Sequence, residues 1–171
     1  MRNNRGFTLI ELLVVIGIIA IITALAAPTF INYLSMLRLK TSSRDLVAYM
    51  QYARTQAIVG DESWYVRFIP GLGEYCLLDG TLDTHRIVDL SQYPGISFGS
   101  NNANPIDTNH IAPPEDGVTY IGEKVKFNPD GTATAGTVYL KNENGDTVAV
   151  GTASATGRIK TWHNFGAGWQ Y

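Results

Sequence analysis

The chain opens on one apolar run. Residues 7–27 hold 21 positions, and Glu11 is the only ionisable side chain among them. Coiled as a helix, such a run spans about 30 Å, the thickness of a hydrocarbon core. Beyond it the apolar positions narrow to one side. Leu39, Leu46, Met50, Ala53 and Ala57 recur at steps of seven, four, three and four. Val47 and Ile58 flank that stripe, while Asp45, Gln51 and Gln56 lie off it. This spacing is one face of an amphipathic helix. It predicts a single helix over 7–59, about 80 Å long, apolar all round at first and then on one side only. Pro28 falls at the junction. It either marks the point where the helix leaves a membrane or is a weak point that lets the helix bend on packing. Both readings stand.

After Gly60 the period shortens. Alternating segments at 64–69, 74–78, 86–90, 96–99, 118–122, 125–127, 136–141, 147–151 and 158–161 predict strands. Clusters of Gly, Asn, Asp and Pro at 70–73, 79–80, 129–131 and 144–146 predict the turns between them. Asn144-Gly145, set between β-branched runs, is the clearest hairpin signal. The fold class is α+β: a long N-terminal helix packed on an antiparallel β-sheet head. Residues 100–117 form a long polar loop, either a variable surface excursion or a partner-contact loop. The organisation is a leader at 1–6, a membrane-spanning helix at 7–27, an amphipathic stalk at 28–59 and a β-rich head at 60–171.

Charge and cysteine content exclude several classes. Thirteen Lys+Arg against 15 Asp+Glu leave no bulk basic field for non-specific nucleic-acid binding. One cysteine, Cys76, permits neither an intrachain disulfide nor a multi-Cys zinc site, and its strand position reads as a buried small hydrophobe. His85, His110 and His163 lack ligand spacing, so no metal or cofactor is implied. Gly95-Ile96-Ser97-Phe98-Gly99 matches a nucleophile-elbow pattern, but no helix follows and the β/α alternation of a hydrolase is missing. The 142–146 segment reads as a turn rather than a calcium loop. Enzymatic function is not expected.

The N-terminus carries the strongest chemistry. Arg2 and Arg5 precede the apolar run, which keeps that end in the cytoplasm and exports the rest. A conventional signal peptide, cut after Ala24-Leu25-Ala26, would release a periplasmic β-domain, an enzyme among the options. Two features oppose it. A carboxylate at a bilayer centre costs about 2.5–3.5 kcal/mol, and the helical pattern runs on past the cut. Glu11 therefore needs a partner. Cleavage between Gly6 and Phe7 would create one: a positive α-amine on Phe7. Glu11 of one copy can then pair with the Phe7 amine of the next and set the axial stagger of stacked helices.

Gly6-Phe7-Thr8-Leu9-Ile10-Glu11 resembles the class III signal of type IV pilins and type II secretion pseudopilins. The resemblance implies cleavage after Gly6 and N-methylation of Phe7 by a prepilin peptidase. It also implies insertion in a bacterial inner membrane with the head in the periplasm, then assembly with other pilins or pseudopilins into a filament. Arg44-Asp-Leu46, Tyr52-Ala53-Arg54-Thr55-Gln56-Ala57 and Trp64-Tyr65-Val66-Arg67-Phe68 are similar to elements of the GspH/FimT group of minor subunits. So are Phe127-Asn-Pro129-Asp-Gly131 and Gly157-Arg158-Ile159. The group implies a head of two β-sheets, a place at the filament tip and support of protein secretion or pilus assembly. Lack of a second cysteine agrees with a minor rather than a major subunit.

One alternative concerns DNA. Arg158, Lys160 and His163 are interleaved with Trp162, Phe165, Trp169 and Tyr171, the ingredients of single-strand or backbone contact. The Gly-Arg-x-Lys piece resembles a Gly-Arg-x-Arg element of DNA-uptake minor pilins. Lys160 replaces its second Arg, and the two are not equivalent at a bidentate phosphate site. The bland reading is a last strand whose aromatics cap the core.

Overall fold

The computed structural model describes residues 7–101, 104–106, 112–166 and 168–170. The chain divides into two compact units, 1–34 and 35–171. One helix, α1 (Leu9–Gly60), contributes to both, and its backbone remains helical through position 28.

In the first unit the side chains described over residues 7–33 all face outward. Leu, Ile and Val dominate, so α1 is long and apolar enough to cross a membrane.

In the second unit α1 buries the predicted stripe completely: Leu39, Leu46, Met50, Ala53 and Ala57 have no solvent exposure. Ser42 and Ser43 also lie on the buried side. Composition hides them, because their hydroxyls are satisfied inside the helix, donating to the carbonyls of Leu39 (3.0 Å) and Lys40 (2.9 Å).

Among the described residues nine strands follow: β1 (Trp64–Ile69), β2 (Glu74–Leu78), β3 (Thr84–Asp89), β4 (Ile96–Phe98), β5 (Lys124–Phe127), β6 (Gly136–Asn142), β7 (Thr147–Thr152), β8 (Ile159–Asn164) and β9 (Trp169–Gln170). They form two antiparallel sheets, ordered β3-β2-β1-β5 and β4-β6-β7-β8-β9. Val66, Phe68 and Tyr75 from the first sheet and Val138, Leu140 and Val148 from the second join the helical stripe in one core. The Tyr93 hydroxyl donates to the Asp45 carboxylate and ties the 3-10 turn after β3 to α1. Burial, and then that carboxylate, push its phenol up to about 12.

Strands β4 to β7 shift by one residue at an end, and four segments depart further from expectation. The segment at 118–122 forms no strand. Val118 makes a lone bridge to Val138, and residues 122 and 123 turn through left-handed φ angles of 68° and 55°. The segment at 86–90 starts two residues earlier and stops at Asp89, whose carboxylate accepts the Ser91 N–H (2.7 Å) and starts the turn. β8 extends to Asn164, and β9 carries no alternation long enough to read.

The short bridge at 118 explains the long loop. β4 covers half of the outer edge of β6, then Gly99 N–H donates to Tyr139 O (3.0 Å). The chain leaves and returns to cover the other half, with Tyr139 N–H donating to Gly117 O (2.7 Å) and Thr119 N–H to Thr137 O (2.9 Å). Gly117 meets Gly99 so closely that a Cβ on it would lie 2.3 Å from Gly99 N. Residues 100–116 thus interrupt one edge whose two halves already touch. Replacing them with two glycines is expected to preserve the cooperative fold. The lost contacts include Asn101 with Thr147 and Asn142, worth about 1 kcal/mol each. The melting midpoint of the purified chain should fall by under ~10 °C; loss of the cooperative transition would show that the excursion builds the edge.

Candidate functional site

The N-terminal chemistry is set where the helix begins. Phe7 precedes α1 and is exposed. The Thr8 hydroxyl accepts the Glu11 N–H at 3.3 Å. Thr-x-x-Glu is the spacing of a capping box, and a carboxylate in the first turn also favours the helix dipole. Glu11 therefore has a local role that the apolar surroundings did not suggest, and its side chain is exposed. Gly6 lies outside the described residues, as does His110. Pro28 sits within the helical backbone.

A second constellation joins three segments far apart in the chain. Arg54 reaches from α1 to two turns, donating from Nη2 to Thr156 O (3.0 Å) and from Nε to Gly131 O (3.4 Å). The turns also meet directly: Ala133 N–H donates to Ser154 O (3.0 Å). Gly157 lies over Gly131, and a Cβ on it would stand 2.2 Å from Gly131 O. Arg54, the Pro129-Asp130-Gly131 turn and Gly157 are the motif pieces singled out separately in the sequence. The fold makes them one clamp, holding the segment before β8 to the helix.

The C-terminal basic cluster is divided. Along a strand, side chains alternate between faces, so Lys160 and Trp162 leave β8 on one side and Thr161 and His163 on the other. Trp162 approaches Gly151, where a Cβ would meet its ring at 3.1 Å. Arg158 is exposed ahead of the strand. His163 instead joins Lys40 and Arg44 of α1 around a cavity. Lys40 carried no signal of its own and Arg44 stood only in a family-like fragment of the helix; their grouping with His163 was hidden because it spans more than a hundred residues.

Ser97 is in mid-β4, opposite Lys141, and a loop follows rather than a helix. His85 pairs with Asp79 at 2.9 Å. The Thr81 hydroxyl, and then His85, hold the Asp79 carboxyl well below the usual range. Cys76 is buried in β2, where loss of water raises its thiol pKa.

Residues 1–27 match the prokaryotic N-terminal methylation motif. Residues 42–157 match the family of type II transport protein GspH. The chain belongs to the GspH family. Its match covers Arg54, Gly131 and Gly157, the three parts of the clamp. Among curated relatives, prepilin peptidase-dependent protein D of Escherichia coli is 51% identical over 49 residues, 29% of this chain and 34% of that one. Type II secretion system protein H of Xanthomonas campestris is 39% identical over 57 residues, 33% of this chain and 34% of that one. Type IV major pilin protein PilA of Myxococcus xanthus is 34% identical over 71 residues, 42% of this chain and 31% of that one. The chain thus spans about a third of the length of the curated relatives it matches. In fold it is similar to the minor pseudopilin EpsH from the type II secretion system of Vibrio cholerae. The TM-score is 0.51 at 11% identity, over 72% of this chain and 95% of that one. This GspH-family chain shares with that structure a long N-terminal helix packed on antiparallel β-sheets.

Proposed function

We propose that this GspH-family chain is a structural minor pseudopilin, made as a preprotein and assembled through its N-terminal helix into a type II secretion pseudopilus. The observation that carries this reading is a methylation motif and a GspH head in one chain, both fed by α1. A prepilin peptidase cuts after Gly6 and methylates the new Phe7 amine. Residues 7–27 hold the subunit in the inner membrane with Arg2 and Arg5 on the cytoplasmic side and the head in the periplasm. On assembly the apolar sides of α1, uncovered in the single chain, are buried against other subunits. Glu11 pairs with the Phe7 amine of a neighbour and fixes the stagger. The subunit stands near the tip, where a few minor copies prime the filament.

The first test is chemical. Expressed with a prepilin peptidase, the mature chain is expected to begin at N-methylated Phe7, read by N-terminal sequencing and intact mass. A chain beginning at Ala27 would reveal a conventional signal peptide and end the pseudopilin reading.

A further inference from the structure

Lys40 and Arg44, one turn apart on α1, meet Thr161, His163 and Phe165 from the end of the second sheet around a cavity of about 400 Å³. Ser43 and Val47 complete the lining. No Asp or Glu lines it among the described residues. Two permanent cations and a titratable ring therefore face one space in which the described residues place no anion to offset them. Like charges so placed repel, and a solvent-exposed helix has other positions on which to spread them. The phenyl ring of Phe165 holds the group in place: Lys40 Nζ lies 5.0 Å from its centroid, and the His163 imidazole stacks on it at 5.4 Å and 24°. His163 Nδ1 is buried without a hydrogen-bond partner among the described residues, so no protein contact there dictates which nitrogen carries the proton.

We propose that this cavity binds a single oxyanion, a phosphate-, sulfate- or carboxylate-type group held between Lys40 and Arg44, and that binding draws a proton onto His163. The proposal does not depend on filament assembly. Two fixed charges with a nearby hydroxyl, Thr161, suit the spread charge of an oxyanion. Burial, and then Lys40 and Arg44, hold the His163 ring below its ordinary pKa. Those two cations are the charged groups that face it from α1. Its neighbours across the sheet, Val148 on β7 and Gln170 on β9, do not titrate. An anion between the cations screens them from the ring and lifts its pKa. By linkage, the same coupling makes the anion bind more tightly as pH falls through the His163 transition.

The experiment uses the full chain in maltoside micelles and a buffer free of phosphate. Sulfate, phosphate and acetate are titrated in turn while the His163 ring protons are followed by NMR. Saturable shifts are expected, with the His163 pKa raised by about one unit at saturation; sulfate then binds about tenfold more tightly at a pH well below the His163 transition than at pH 8, with part of that gain at pH values inside the transition. Lys40→Ala with Arg44→Ala should abolish saturation. Arg158→Ala with Lys160→Ala should leave it unchanged. Preference for sulfate and phosphate over acetate assigns the natural ligand to a phosphate-bearing group. Equal or stronger acetate binding, reproduced by a glutamate-rich peptide, assigns it to an acidic side chain of another protein. The absence of saturation with all three anions would overturn the site, as would undiminished saturation in the Lys40/Arg44 double variant.

Discussion

Gly157→Ala is expected to remove about 3 kcal/mol or more of the head's stability, a large part of the ~5–15 kcal/mol that holds a domain folded. Two costs combine at this position. Its φ of 57° is left-handed, which strains an L-residue by about 1–2 kcal/mol. The added methyl would also stand 2.2 Å from Gly131 O and 3.0 Å from Arg54 Nε. The first of these atoms is backbone and cannot swing away. Relief would require the 153–158 turn to lift from the 129–133 turn, breaking the Ala133–Ser154 bond and both Arg54 bonds together. Gly131→Ala is the matched control. Its φ of 82° carries the same kind of strain, yet the nearest atoms to a new Cβ are 3.7 Å away. That variant should lose only the conformational part, about 1–2 kcal/mol. Denaturant midpoints of the three proteins, with m-values checked for constancy, measure the difference. Equal losses at the two glycines would mean that the turns do not need their close approach.

The clamp also shows where sequence reading succeeds and where it stops. Periodicity exposed the buried face of α1 because Leu39, Leu46, Met50, Ala53 and Ala57 report their burial by being apolar. Ser42 and Ser43 escaped it because a serine that satisfies its hydroxyl within the helix can enter the core unannounced. Strands with alternation and turns with Asn-Gly or Pro-Asp-Gly were legible, since local geometry selects those residues. The 118–122 segment alternates correctly but has room for only one bridge, since β4 already holds the rest of that edge. Neighbourhood in space was the hardest to see. Arg54, Gly131 and Gly157 were visible as separate motif fragments, and only the folded chain makes them one contact. The C-terminal cations were grouped because they are near in sequence. Strand alternation separates Lys160 from His163, and the register of α1 against β8 gives His163 a different set of basic neighbours.

Glu11→Gln is expected to lower incorporation into the filament roughly a hundredfold while leaving the start of the helix intact. The substitution separates the capping contact at Glu11 from the docking role proposed for the same residue. At the N3 position of a capping box, the Glu11 backbone N–H donates to the Thr8 hydroxyl, and glutamine serves that position nearly as well. As a charge on an apolar helix, it has no neutral substitute. If the Phe7 amine of an adjacent subunit docks there, the variant leaves that amine unpaired in an apolar interface. Stranding one member of a buried pair costs about 3–5 kcal/mol, and 3 kcal/mol is already more than a hundredfold in an association constant. Cleavage must be checked beside assembly: the variant's mature N-terminus should still be Phe7, so that loss of filament is not loss of processing. Glu11→Asp, which keeps the charge on a side chain one methylene shorter, should recover part of the defect. Helix content by circular dichroism should be equal in all three proteins. Filament incorporation that survived Glu11→Gln would assign the carboxylate to capping alone, and the stagger between subunits would then have to come from shape along the apolar face of α1.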